Sequence, residues 1–305
     1  MARTEVIALF GPTGVGKTAV ALALAERLRG LGERPVAVSA DALQVYRGLE
    51  VLTGAARAAE RAQLEHRLLS FLPLDATFSA GQYAELAHAE IDGLLAEGRR
   101  PLVVGGTGLY LRAALTELSL RPPPAEGVRE RWVAELELRE PAALHAELAR
   151  RAPWAAVEIA PGDRQRIVRA LELHESGELE PSPEQSELWT AATRWPTLLI
   201  GLVMEREQLY ATTDARVDAM MAAGAREEVQ RAHAAGASAT ARQALGFHDL
   251  LAGDVEAMKR RTRNLARRQL TWMRKLAAVE VLDATGHSPQ ELAERALALW
   301  LAGGN

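Results

Sequence analysis

The chain has 305 residues, 48% hydrophobic and 25% charged, with 24 Gly and 14 Pro. This is a globular composition and excludes disordered, collagen-like and low-complexity classes. There is no Cys, which excludes disulfides, thiol catalysis, iron–sulfur clusters and cysteine-ligated zinc. The net charge of −4 argues mildly against a nucleic-acid partner. The distribution overturns that inference. Eight basic residues and no acidic one stand between Lys259 and Lys275 (Lys259, Arg260, Arg261, Arg263, Arg267, Arg268, Arg274, Lys275), a positive face hidden inside an acidic average.

The run Val6-Ile7-Ala8-Leu9-Phe10 suits a buried strand but is too short for a signal-peptide core. No apolar run approaches the roughly eighteen residues of a membrane span, so a cytoplasmic protein without a membrane partner is expected. A glycine-rich turn and a helical pattern from Ala19 to Arg29 follow. Val36 to Ser39 reads as a second strand ending at Asp41, and Pro101 to Val104 as a third ending at Gly105-Gly106. Strand–helix alternation of this kind predicts an α/β fold, a P-loop NTPase-like parallel sheet flanked by helices, with ligands at the carboxyl ends of the strands.

The prolines at 122–124 cannot continue a helix and mark a boundary. Beyond them, Glu126 to Arg151 reads as helices punctuated by Pro141, Pro153 and Pro161. Asp163 is a good N-cap for a helix with Ile167, Ala170, Leu171 and His174 on one face. This predicts a small all-helical insertion domain. The polar stretch from Gly177 to Ser186 reads as a return loop, Thr197 to Val203 restores a buried strand, and the pattern from Arg206 onward is helical. The expected organisation is a core domain in two parts, 1–121 and 182–305, the second with basic C-terminal helices, around an insertion at 122–181.

Gly11-Pro12-Thr13-Gly14-Val15-Gly16-Lys17-Thr18 matches the P-loop pattern between a strand and a helix. The glycines let backbone N–H groups converge on phosphate oxygens, the helix N-terminus adds its positive end, Lys17 supplies charge and Thr18 can ligate Mg²⁺. An NTP hydrolase would also carry a strand ending in a metal-holding Asp. The strand at Leu102 to Val104 ends instead in Gly105-Gly106-Thr107-Gly108. Asp41 is the remaining carboxylate at a strand end near the loop, and taken alone it fits a helix cap as well as a general base or indirect metal ligand.

In these residues the chain resembles the bacterial tRNA dimethylallyltransferases, also called tRNA isopentenyltransferases. The matching segments are Gly11 to Thr18, Ser39-Ala40-Asp41-Ala42-Leu43-Gln44-Val45-Tyr46, Gly105 to Tyr110, Asp163-Arg164-Gln165-Arg166, Arg216-Val217-Asp218 and Arg268-Gln269-Leu270-Thr271-Trp272, in the family's order. The resemblance implies transfer of a dimethylallyl group from dimethylallyl diphosphate to N6 of an adenosine beside the anticodon. It implies diphosphate on the P-loop with Mg²⁺ at Thr18, Arg216 on the leaving group, and Asp41 as the base for the attacking amine. It further implies that the base is extruded from the anticodon stem-loop. The tRNA contacts it assigns are Asp41, Ala42, Leu43, Gln44 and Thr107 on strand-end loops, and Gln165, Arg166, Ile167, Val168 and Arg169 on the insert helix. The C-terminal half adds Arg242, Gln243, Gly246, Phe247, Arg267, Arg268, Gln269 and Arg274. A monomer is expected, because a stem-loop occupies the cleft.

The sequence departs from the family pattern after Tyr46. The family usually carries a Thr-Ala-Lys-Pro segment and a Pro-His-His-Leu-Ile-Asp segment. Here Leu52-Thr53-Gly54-Ala55-Ala56 and Glu65-His66-Arg67-Leu68-Leu69-Ser70 stand. His66, His174 and His233 show no metal-ligand spacing, and Trp272 shares an apolar stripe that suits the core. Two rival readings remain at this stage: a P-loop small-molecule or nucleoside kinase, which leaves the basic C-terminal run unexplained, and an RNA-binding module with a relic P-loop.

Overall fold

The computed structural model describes residues 4–121, 125, 127–181 and 187–303. The triple proline at 122–124 and the end of the return loop at 182–186 lie outside the described residues. The chain divides into two compact units, residues 1–118 with 188–305, and residues 119–187.

The first unit carries β1 (Val6–Phe10), β2 (Pro35–Ala40), β3 (His66–Arg67), β4 (Arg100–Gly105), β5 (Thr197–Val203) and β6 (Val279–Asp283). They form one parallel sheet in the order β3-β2-β4-β1-β5-β6. Every residue of β1 and β2 is buried, as expected of a parallel sheet covered on both faces. Gly105 pairs with Phe10 on one side and Ala40 on the other. A Cβ there would lie 2.2 Å from the Ala40 carbonyl oxygen, so only glycine lets β2 and β4 close to this distance.

Around the sheet run α1 (Lys17–Gly30), α2 (Glu50–Thr53), α3 (Ala58–Gln63), α4 (Ala80–Ala96) and α5 (Gly108–Leu115). The second unit is formed by α6 (Val128–Leu138), α7 (Pro141–Arg151), α8 (Pro153–Glu158) and α9 (Arg164–Glu175). The chain then returns through β5 to α10 (Arg206–Ala222), α11 (Ala225–Ala234), α12 (Phe247–Leu251), α13 (Val255–Met273), β6 and α14 (Pro289–Ala302). One core joins the sheet to α1 and α14 through Leu24, Leu28, Leu292 and Trp300, and a second packs Tyr46, Leu52, Val217, Val229 and Phe247. Helices α10 and α11 thereby pack against the loop that follows β2.

The second unit holds its own core of Trp132, Leu144, Leu148, Ile167 and Leu171. Pro141 and Pro153 open α7 and α8 in the first turn, where the missing N–H is no loss. Asp163 caps α9 by accepting from the Arg166 N–H at 3.1 Å. No helix among the described residues is long and apolar enough to cross a membrane.

Two strands differ from the sequence reading. The region after Arg206 is not uniformly helical: β6 pairs with β5, Leu199 opposite Val279 through Val203 opposite Asp283. It is an edge strand with Glu280, Val281 and Asp283 exposed, so it lacks the continuous apolar run of a central strand. β3 has only two residues, too few for any periodicity to register.

Candidate active site

Three strand ends converge on one point. The loop after β1 runs Gly11-Pro12-Thr13-Gly14-Val15-Gly16 into α1, with Gly14 at φ +84° and Gly16 at φ +94°. L-residues rarely adopt that conformation, and a Cβ on Gly14 would also meet Thr213 Cγ2 at 2.8 Å. Lys17 Nζ donates to the Gly11 and Pro12 carbonyls, both at 2.9 Å. Burial pulls its pKa down to about 7, Arg216 adding to the effect and Asp41 opposing it. Two cations and one carboxylate thus share this site in a setting that disfavours excess positive charge.

Asp41 lies one residue beyond β2. Its Oδ1 accepts from the Leu43 N–H at 2.9 Å and the Gln44 N–H at 3.3 Å, an Asx turn that fixes the carboxylate. The cap and the chemistry are therefore compatible, because one oxygen organises the turn. Gln44 is held at both ends of its amide: Oε1 accepts from the Ser39 hydroxyl at 3.3 Å, and Nε2 faces the Thr53 and Gly54 carbonyls at 3.4 and 3.5 Å. Arg216, on α10, reaches the same two carbonyls at 3.5 and 3.3 Å. Burial lowers its pKa while Asp41 pulls it back up. Thr18, Ser39, Gln44, His66 and Val104 line a cavity of about 30 Å³ beside the loop. Thr107 caps the start of α5 with its side chain free of any cap hydrogen bond.

Several residues assigned to tRNA by resemblance have other work. Gln269 is buried; its Oε1 accepts from the Thr13 N–H and its Nε2 donates to the Gly106 carbonyl, both at 2.8 Å. It ties the P-loop to the end of β4 and so braces the phosphate loop. Ile167, Val168 and Phe247 are buried at 0%, 2% and 0% exposure, so their side chains belong to the core. Gly246, at φ +92°, leaves the space that Met258 fills, 2.6 Å from its Cβ position, and is a turn residue. Arg242 Nε donates to the Ala237 carbonyl at 2.7 Å, and Gln243 is exposed. Ala42 and Leu43 are half-buried members of the Asp41 turn.

The basic run divides in two. Lys259, Arg260, Arg261 and Arg263 pair with Asp218, Asp254, Asp249 and Asp214 at 2.7, 3.7, 3.3 and 2.6 Å. Arg267, Arg268 and Arg274 are exposed and make no ion pair among the described residues. On α9, Arg166 and Gln165 are exposed, while Arg169 pairs with buried Glu172 at 3.2 Å and donates to the Arg121 carbonyl. Trp272 is half-buried against Gly108, where a Cβ would lie 2.0 Å from its ring, and against Trp189 at 4.6 Å between centroids.

Sequence reasoning missed the Thr53 and Gly54 carbonyls and Glu228, which is buried on α11 and accepts from the Val51 and Leu52 N–H groups. No motif marks a backbone carbonyl. The signal available for Glu228 was a carboxylate at an apolar position of a helix.

A parallel α/β sheet with a glycine-rich phosphate loop between its central strand and the following helix defines a P-loop protein. The chain belongs to the IPP transferase family, which matches residues 44–276. It is 42% identical to the tRNA dimethylallyltransferase of Kineococcus radiotolerans, covering 96% of this chain and 95% of that one, and 38% identical to that of Symbiobacterium thermophilum, covering 93% and 91%. Its structure is similar to the full-length tRNA isopentenylpyrophosphate transferase of Bacillus halodurans, with a TM-score of 0.69, 30% identity and coverage of 99% and 98%. A eukaryotic dimethylallyltransferase acting on tRNA shares the fold at a TM-score of 0.71 and 24% identity.

Proposed function

We infer that the chain transfers the dimethylallyl group of dimethylallyl diphosphate to N6 of the adenosine 3′ of the anticodon in tRNA and releases diphosphate. The observation that carries this reading is the meeting of Asp41, Lys17 and Arg216 at the mouth of the P-loop. As the allylic carbon–oxygen bond breaks, negative charge grows on the departing diphosphate. The loop N–H groups, Lys17 and Arg216 stabilise it where it forms. As the N6–carbon bond forms, the exocyclic amine loses a proton to the free oxygen of Asp41.

Mg²⁺ fits this site. Thr18 Oγ1 has no hydrogen-bond partner among the described residues and lines the cavity beside the loop. A hydroxyl with diphosphate oxygens and waters is an ordinary Mg²⁺ donor set. The ion when bound would neutralise diphosphate charge, and Thr18 would hold it.

The partner on the other side is a tRNA anticodon stem-loop. Its target base must leave the stack to reach Asp41, with Gln44 and Thr107 gripping it. Arg267, Arg268 and Arg274, and separately Arg166 with Gln165 and Arg169 on α9, are suited to phosphates. Arg242, Gln243 and the Ala42–Leu43 turn would supply main-chain and side-chain contacts. The protein would act as a monomer in the cytoplasm, where tRNA is found. The kinase reading is set aside: β4 ends in glycine and not in a carboxylate, and the family is a transferase.

The test is incubation with unmodified tRNA, Mg²⁺ and labelled dimethylallyl diphosphate, followed by nucleoside analysis. Label on N6 of one anticodon-loop adenosine is expected. Label absent from tRNA, with transfer from γ-labelled ATP to a metabolite, would overturn the reading.

A further inference from the structure

The single turn α2 is gripped at both ends by the α10–α11 hairpin. At its N-terminal end the Val51 and Leu52 N–H groups have no partner within the helix. Each donates to one oxygen of Glu228, at 3.0 and 2.8 Å. At its C-terminal end the Thr53 and Gly54 carbonyls face Arg216 Nη2. A carboxylate at the positive end of the helix and a guanidinium at the negative end match its dipole.

The two carbonyls also face Gln44 Nε2, so one piece of backbone sets both the diphosphate-side cation and the base-side amide. Glu228 itself is 6% exposed and reaches α2 from α11 through those two N–H groups. Four residues form no helix in water by themselves. The position of the carbonyls therefore depends on what holds α2.

We propose that Glu228 is a positioning residue for the transfer reaction, fixing α2 so that its last two carbonyls hold Arg216 and Gln44 in register. The inference rests on the transferase reading for the role of Arg216. Replacement by Gln keeps the shape but turns one acceptor into a donor facing an N–H, so one end of the grip opens.

The experiment measures binding of inorganic diphosphate by calorimetry and single-turnover transfer at saturating substrates. The proteins are wild type, Glu228→Gln, Arg216→Gln and the double variant, each below its Tm. Glu228→Gln should slow transfer by about tenfold to hundredfold, the cost of misplacing a reacting group from outside the site, and weaken diphosphate binding. Added to Arg216→Gln, it should change diphosphate binding by less than about twofold, because residues acting through one another are not additive. Should Glu228→Gln fail to fold, Glu228→Asp, which keeps the charge and loses the reach, should give the same pattern.

A full effect of Glu228→Gln in the Arg216→Gln background overturns the proposal, as does unchanged binding and rate in the folded single variant. If wild type transfers no label, the transferase reading fails, and the diphosphate-binding cycle still decides whether Glu228 acts through Arg216.

Discussion

Gly54 leaves vacant the space that Arg216 uses: a Cβ at residue 54 would lie 1.8 Å from Arg216 Nη2 and 2.6 Å from its Cζ. Gly54 is also at φ +60°, the left-handed region where a side chain costs roughly 1 kcal/mol. The backbone and the arginine therefore impose the same requirement. Gly54→Ala should lose about that much stability and also displace the guanidinium. Transfer should fall by about tenfold to hundredfold at a temperature where the variant is fully folded, measured as the single-turnover rate beside the Tm. A normal rate with a lowered Tm would mean that Arg216 does not act from its observed position.

Asp41 has two tasks, and they can be separated. Asn keeps an oxygen to accept from the Leu43 and Gln44 N–H groups but cannot take a proton from the attacking amine. Asp41→Asn should therefore fold and bind tRNA as wild type while transferring about a hundredfold to ten-thousandfold more slowly, the usual range for a lost acid–base group. Asp41→Ala should add a loss of stability, since two turn N–H groups lose their acceptor. Equal rates for Asp41→Asn and wild type would assign the base elsewhere.

The strands that carry the site were legible because each is a short apolar run closed by a turn-forming residue: glycine after β1 and β4, Asp41 after β2. The P-loop and α1 follow from their pattern for the same reason. β6 was not legible, since an edge strand with charged residues reads like the polar face of a helix. The bracing role of Gln269 was not legible, because a glutamine inside an Arg-rich helix reads as surface. Its partners, Thr13 and Gly106, lie 256 and 163 positions away, and no local pattern encodes that distance. The same applies to Arg263 and Lys259: their charges were visible, while the aspartates that neutralise them come from the neighbouring α10.

Lys17 should link diphosphate binding to proton uptake. Its pKa in the folded protein is about 7 against 10.5 for an ordinary lysine. Between those values the unfolded chain binds the additional proton, so Lys17's contribution to stability rises with pH through that window. A bound diphosphate favours the ammonium, so binding at about pH 8 should take up close to one proton. Calorimetry in two buffers of different ionisation enthalpy measures it. Lys17→Met should abolish this uptake; equal uptake in both proteins would place the titrating group elsewhere.

Salt dependence should separate the two halves of the basic run. Arg267, Arg268 and Arg274 are exposed and without an ion pair among the described residues, whereas Arg263 pairs with Asp214 at 2.6 Å and Lys259 with Asp218 at 2.7 Å. An arginine that neutralises a tRNA phosphate displaces the cation condensed there, so log K for tRNA against log salt should flatten by about one for each contacting arginine removed. Arg268→Ala and Arg274→Ala should each show that change. Arg263→Ala should leave the slope nearly unaltered and cost about 1 kcal/mol of stability, as a half-buried, partly screened ion pair does. A flattened slope for Arg263→Ala with none for Arg268→Ala would move the tRNA-facing surface from the end of α13 to its middle.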